Sequence, residues 1–381
     1  MSVYLDFNAT APIDLRVLDF MIDVYKNECG NADSRTHEFG NAARKVVEEA
    51  RGEVAKLLDI NKDEVFFTSG ATESNNIALQ GLMAYAQKTQ KKHIITTAIE
   101  HKAIIETAKY LITEGFEVDF VKPDITGRIT AKQVENLIRN DTLLVSVMHV
   151  NNETGIIQPV QEIGEFLEKE DILFHVDATQ SFGKLVPELK ALKYDMLSAS
   201  AHKIGGPQGI GVLILRKKKY RLPPVKNIMF GGPQERGIRP GTIPVALVAG
   251  FGKACEFASK EHEDNLSACL AIRAKIINLL EESKIKYRIN GDVKYSVPQT
   301  LNLCFPGISS EALMLSTKQY CGISNGSACN SHSYTPSYVL SSMGMDVDEI
   351  ENSIRISWGP HSDIKAITEG FDNLLAVVKQ L

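Results

Sequence analysis

Ser198-Ala199-Ser200-Ala201-His202-Lys203-Ile204-Gly205-Gly206 sets a lysine between a short apolar run and a glycine pair. Upstream, Phe174-His175-Val176-Asp177-Ala178-Thr179-Gln180 reads as a strand ending in an acidic residue, and downstream Gly209 to Leu215 reads as another strand. Lys203 therefore falls on a strand-end loop, the place where open α/β sheets hold their ligands. A lysine amine is nucleophilic only when its pKa is pulled down, and a carbonyl cofactor such as pyridoxal 5'-phosphate (PLP) can hold it covalently. Such a cofactor requires a carboxylate opposite its pyridinium nitrogen, a part open to Asp177. A solvated loop lysine has the same local sequence, so the rest of the chain decides.

Working outward, strands and helices alternate. Glu64–Thr68, His93–Thr97, Glu117–Val121, Thr142–Val150, Ile172–Val176 and Met196–Ser200 have strand character, with helical spacing between them. The alternation predicts a mostly parallel sheet covered on both faces. Polar residues gather just after the strands: His101, then Asn151-Asn152-Glu153, then Asp177 and Gln180. Ser69-Gly70-Ala71-Thr72-Glu73-Ser74 reads as a small-residue turn between a strand and a helix over Asn75–Tyr85. That arrangement aims backbone N–H groups and hydroxyls at a phosphate. A long helical span from Pro244 to about Ser283 leads into a smaller α+β unit. The expected division is a large unit at 15–260 and a small one formed by 1–14 and 261–381.

The 381 residues are 44% hydrophobic and 23% charged, with a net charge of -5, which describes a soluble globular enzyme-sized chain without a basic footprint for nucleic acid. No apolar run approaches a membrane span, and the start of the chain has no export signal, so a cytoplasmic location is expected. Six cysteines contain no CxxC pair, which speaks against a zinc ribbon or dithiol motif, and no metal site is expected. Cys29, Cys255, Cys269, Cys304 and Cys321 read as structural or incidental. Cys329 differs: it lies in the hydroxyl-rich Ile323-Ser324-Asn325-Gly326-Ser327-Ala328-Cys329-Asn330-Ser331-His332-Ser333-Tyr334, a setting for a reactive thiol. Arg355 sits mid-strand among apolar residues, where its guanidinium needs either a substrate carboxylate or an internal ion pair.

Taken together, Tyr4-Leu5-Asp6, Ser69-Gly70-Ala71-Thr72-Glu73-Ser74-Asn75, Glu100-His101, His149 to Gly155, His175 to Gln180, Ser200-Ala201-His202-Lys203, Gly231 to Glu235, Arg239-Pro240-Gly241-Thr242 and Gly326-Ser327-Ala328-Cys329 form an ordered set along nearly the whole chain. The sequence resembles the cysteine desulfurases of the class V aminotransferase group. The resemblance implies the aspartate aminotransferase-like PLP fold (fold type I), with a large mostly parallel-sheet domain and a smaller α+β domain.

It also implies roles. Lys203 would hold PLP covalently, Asp177 would keep the ring nitrogen protonated, and His101 would stack on the ring and shuttle protons. Asn152 and Gln180 would bond ring substituents, while Ala71, Thr72, Ser200 and His202 would hold the phosphate. Thr242 would reach the phosphate of a neighbouring subunit, which implies a homodimer. Arg355, helped by Asn31, would bind the carboxylate of L-cysteine, and Cys329 would take the sulfur as a persulfide for a sulfur-acceptor protein, leaving L-alanine.

The polar loop resembles the branch of the family that donates sulfur to iron–sulfur scaffolds and tRNA-thiolation proteins. Asn325, Asn330, His332 and Tyr334 depart from housekeeping members and look closer to desulfurases serving DNA phosphorothioate modification, with sulfur passed to a protein and no direct grip on DNA. Two other readings fit parts of the pattern. One is a different PLP enzyme of the same fold, which would not need Cys329. The other is a docking protein with a vestigial PLP site.

Overall fold

The computed structural model describes residues 2–325 and 336–381. Its strands, in chain order, are β1 (Val3–Tyr4), β2 (Val65–Thr68), β3 (His93–Thr97), β4 (Glu117–Val121), β5 (Thr142–Met148), β6 (Leu173–Asp177), β7 (Met196–Ser200), β8 (Gly211–Leu215), β9 (Arg288–Ile289), β10 (Thr300–Cys304), β11 (Cys321–Gly322) and β12 (Ser353–Ser357). Seven of them form one sheet in the order β2-β8-β7-β6-β5-β3-β4. The pairs from β7 to β4 are parallel, and β8 runs antiparallel to both of its neighbours. Strands buried along their whole length, such as Thr142–Met148 and Met196–Ser200, are what a sheet covered on both faces requires. β10 pairs antiparallel with β9 and β12 in a smaller sheet, and β1 pairs in parallel with β11.

Two apolar cores are the largest among the described residues. One packs helix Glu38–Leu58 and the large sheet around Phe67, Phe174, Phe182 and Phe251; the other gathers Leu5, Leu301, Ile354, Trp358 and Phe371. A single helix, Val245–Ser283, serves both: Val248, Phe251 and Cys255 enter the first core, and Ile272, Ile276 and Leu280 the second. At about 1.5 Å per residue it reaches close to 60 Å, long enough to join the two.

The phosphate-side turn is shorter than the sequence suggested. A helix starts at Ala71 and runs to Gln80, and a second follows at Met83–Thr89, where one helix over Asn75–Tyr85 was expected. The interruption has a packing cause. Gly81 lies against the Lys226 carbonyl oxygen, which a Cβ there would approach to 2.6 Å. Gly211 is equally constrained, since its Cβ would come within 2.5 Å of Gly70 Cα. That close approach brings β8 against the start of the Ala71–Gln80 helix.

Glu235 locks the segment Gly231–Thr242 to the sheet edge. Its carboxylate accepts from Arg51 NH2 at 2.7 Å, from Arg51 NH1 at 2.8 Å and from the Phe67 amide at 2.8 Å, with both side chains almost fully buried. Removing one member leaves the other charge uncompensated in the interior. Glu235→Ala is therefore expected to lower stability by about 3–5 kcal/mol, measured by denaturant unfolding.

Candidate active site

The C-terminal ends of the parallel strands converge on one place. Asp177 closes β6, Ser200 closes β7, His101 follows β3, and Asn152 follows β5. Asp177 is 4% exposed and is held on both oxygens: Asn75 Nδ2 donates to Oδ2 at 2.7 Å, and the Thr179 amide and hydroxyl donate to Oδ1 at 2.9 and 2.5 Å. Next to it on β6, His175 lies between the hydroxyls of Ser146 and Ser198, each at 2.9 Å, and burial pushes its pKa down to about 4. Burial also lowers the His101 imidazole from its ordinary value; its Nδ1 accepts from the Ala103 amide at 3.1 Å, capping helix Lys102–Thr113.

Lys203 donates to the carbonyl oxygens of Asn8 at 2.6 Å and Ala9 at 2.7 Å. Burial, reinforced by the charges of Lys184 and Arg355, pushes its pKa down to about 7. The lysine at the strand-end loop is thus largely buried, with its ammonium held by backbone oxygens. His202 shares a hydrogen bond with Thr10 Oγ1 at 3.1 Å, and burial pushes it down to about 4. Ser200 Oγ faces Gly70, whose Cβ would stand 3.6 Å from it, so the hydroxyl lies beside the start of helix Ala71–Gln80. Ala71 and Thr72 supply backbone N–H groups at that helix start, where a phosphate is favoured.

The arm before the first helix contributes residues whose roles the sequence did not announce. Asn8 donates its amide to Ser357 Oγ at 2.9 Å and its side chain to Thr300 Oγ1 at 3.0 Å and the Asn152 carbonyl at 3.1 Å, while its own carbonyl accepts from Gln180 at 3.0 Å. Asp6 accepts from Arg355 NH2 at 2.5 Å, and Arg355 NH1 donates to the Asn152 carbonyl at 3.0 Å. Arg355 is thus in an ion pair, with Nε left without a partner among the described residues. Asn75 likewise went unassigned, although its place one turn into the helix after the small-residue turn marks it as inward-facing.

Two residues are not joined to this cluster. Asn31 is exposed and accepts within its own turn from the Asp33 amide at 2.9 Å. Thr242 is exposed, three residues beyond Arg239, which is bound to Glu73 at 3.0 Å. Cys329 and its neighbours at 326–335 lie outside the described residues. Of the other cysteines, Cys255, Cys269, Cys304 and Cys321 are buried, and burial raises each thiol above its ordinary pKa. Among the described residues no group of His, Cys, Asp or Glu is arranged to hold a metal.

The site fits a PLP-like group. Asn152 Oδ1 and Gln180 Oε1 are buried without a hydrogen-bond partner among the described residues, an uncommon condition that ring substituents would relieve. An amine with a depressed pKa, a carboxylate fixed on both oxygens and a helix start surround the same space.

Comparison with known proteins agrees with this chemistry. The family model described as aminotransferase class-V matches residues 3–369. The chain belongs to that family. A cysteine desulfurase IscS from Vibrio vulnificus is 40% identical over 384 residues, covering 100% of this chain and 94% of the relative. Among solved structures, a NifS-like protein matches with a TM-score of 0.92 at 36% identity over 100% of both chains. The DndA structure from Streptomyces lividans matches with a TM-score of 0.82 at 42% identity, covering 92% of this chain and 98% of that one. The chain is a PLP-dependent cysteine desulfurase with the α/β fold of its family.

The lowered pKa of Lys203 gives a pH test. The free amine is the reactive form, so the rate at which the cofactor-free chain captures PLP, followed by its visible band, should rise about tenfold per pH unit below about 7 and then level off. A rise continuing toward the ordinary lysine value, about 10.4, would show an unperturbed amine.

Proposed function

We propose that Cys329 receives the sulfur of L-cysteine as a persulfide and passes it to an acceptor protein, with L-alanine as the other product. PLP, when bound, supplies an electron sink for the pair released at the substrate α-carbon. The rest falls to this chain. Lys203 takes the α-proton, its lowered pKa suiting it to that task near neutral pH. His101 is the second proton-carrying group. Asp177 keeps the cofactor nitrogen protonated, with Asn75 and Thr179 fixing its oxygens. Asn152 and Gln180 bond the ring substituents, and Ala71, Thr72, Ser200 and His202 hold the phosphate. Arg355, paired with Asp6 through one terminal nitrogen and with Nε free of partners among the described residues, would bind the substrate carboxylate; Asn31, exposed and bonded within its own turn, would have to move to assist it. The Cys329 thiolate attacks the substrate sulfur; the sulfur–carbon bond breaks with its electron pair going to the substrate β-carbon, which is then protonated.

The observation that carries the role of Cys329 is where the described chain meets 326–335. Before it, the Ser324 and Arg355 backbones pair, with the Ser324 amide donating at 3.2 Å and its carbonyl accepting at 2.5 Å. After it, Ser337 Oγ donates to Glu153 at 2.5 Å and Tyr338 OH to the Glu100 carbonyl at 2.6 Å. Both flanks are thus tied to residues that border the site, and this supports the reading.

For the acceptor we propose a protein of DNA phosphorothioate modification, on the likeness of Ser324–Tyr334 to desulfurases of that kind and on the DndA match. The IscS relatives favour equally a housekeeping supply of sulfur, to iron–sulfur scaffolds or tRNA thiolation. With a net charge of -5 the enzyme works through the protein partner. The proposed setting is a cytoplasmic homodimer in which Thr242 completes the partner's phosphate site; no helix among the described residues is long and apolar enough to cross a membrane.

Cys329→Ser is expected to keep the visible PLP band and lose at least about a hundredfold in alanine formation from cysteine, in the range of lost nucleophilic catalysis. Turnover like that of the unmodified enzyme would contradict the role. Loading the enzyme with radiolabelled sulfur and offering DNA-modification, scaffold and tRNA-thiolation proteins side by side decides the pathway by which one becomes labelled.

A further inference from the structure

Beside Lys203 the chain forms a second space, open on one side to solvent. A cavity of about 600 Å³ lies between the N-terminal arm, helix Val245–Ser283 and the smaller unit, with walls that include Phe7, Pro12, Val17, Phe257, Leu266 and Trp358. Lys203 reaches its wall, whereas His101, Asn152, Asp177, Gln180, Ser200 and His202 do not. It is therefore separate from the place where the cofactor residues converge, and touches it through one side chain.

Lys184 stands on the same wall. Its ammonium has no hydrogen bond or ion pair among the described residues, and burial pushes its pKa down to about 8. The carboxylates there, Asp14 and Glu261, are both taken up by Arg16. Arg16 bonds Asp14 at 2.7 Å and Glu261 at 2.7 Å, and its guanidinium lies 3.8 Å over the Phe257 ring. Lys203 is engaged by the Asn8 and Ala9 carbonyls, and His262 and His361 bring no negative charge. Lys184 is thus a half-buried cation without a protein counter-charge on a mostly apolar wall, a position that favours an anion beside it. The volume falls in the range of small-molecule sites, roughly 300–1,000 Å³.

We infer that this cavity binds a small amphiphilic carboxylate, with its headgroup on Lys184 and its hydrocarbon against Phe257, Leu266 and Trp358. The ligand is distinct from the amino acid substrate, whose carboxylate is assigned to Arg355, so the site stands whether or not that assignment holds. Cysteine itself lacks the apolar body that the walls call for.

Trp358 is the only tryptophan in the chain, so its emission reports on the cavity directly. Titration of the PLP-loaded enzyme with octanoate should give a saturable change in Trp358 fluorescence and a calorimetric stoichiometry of one molecule per chain. 1-Octanol, which offers the same chain without charge, should bind about tenfold more weakly or worse, as expected for loss of one charge-assisted contact. Lys184→Met should erase the preference for octanoate while octanol still binds. Absence of saturable octanoate binding into the millimolar range, equal affinity for octanoate and octanol in the unmodified enzyme, or an undiminished preference in Lys184→Met would each overturn the inference. The comparison of the two ligands on the unmodified enzyme stands even if the variant fails to fold.

Discussion

The contact on which the structure depends is the bond of the Lys203 ammonium to two carbonyls of the N-terminal arm, Asn8 and Ala9. A lysine cannot be buried as a bare charge, and here backbone oxygens accept its hydrogen bonds while burial lowers its pKa. The same few arm residues reach the other half of the chain: Asp6 to Arg355, the Asn8 amide to Ser357, and the Asn8 side chain to Thr300. The arm is therefore a strap that holds Arg355 and Lys203 in one frame.

Around that frame, burial disfavours the charged form of several groups. His149, His175 and His202 are each pushed down to about 4, while Glu100 is pushed up to about 8 and Glu153 to about 7. In such a low-dielectric setting the charges that remain act strongly, and the hydrogen bonds that position Asp177 from two sides gain in importance. Glu100 and Glu153 also serve packing, since the chain after 335 is bound to both.

Much of this was legible in the sequence. A polar residue just beyond an apolar run marks a strand end, and that rule found His101, Asn152, Asp177 and Lys203 before any fold was known. Local patterning fails where the partner is distant. Nothing near Asp6 announces Arg355, 349 positions away, so the sequence could only weigh an ion pair against a substrate carboxylate, and the structure has the ion pair. Asn8 and Asn75 are ordinary polar residues until folding supplies their partners, and Lys184 gains meaning only when a cavity forms around it. The helix break after Gln80 was hidden for a related reason: the backbone that crowds Gly81 comes from Lys226.

The central claim is that Lys203, with its lowered pKa and its place on the strap, is the amine that holds the cofactor, while its neighbour Lys184 is not. Borohydride reduction of the PLP-loaded enzyme followed by peptide mass spectrometry tests this directly. The account predicts one pyridoxyl group, on the peptide that contains Lys203. A group on Lys184, or on no lysine at all, would contradict it.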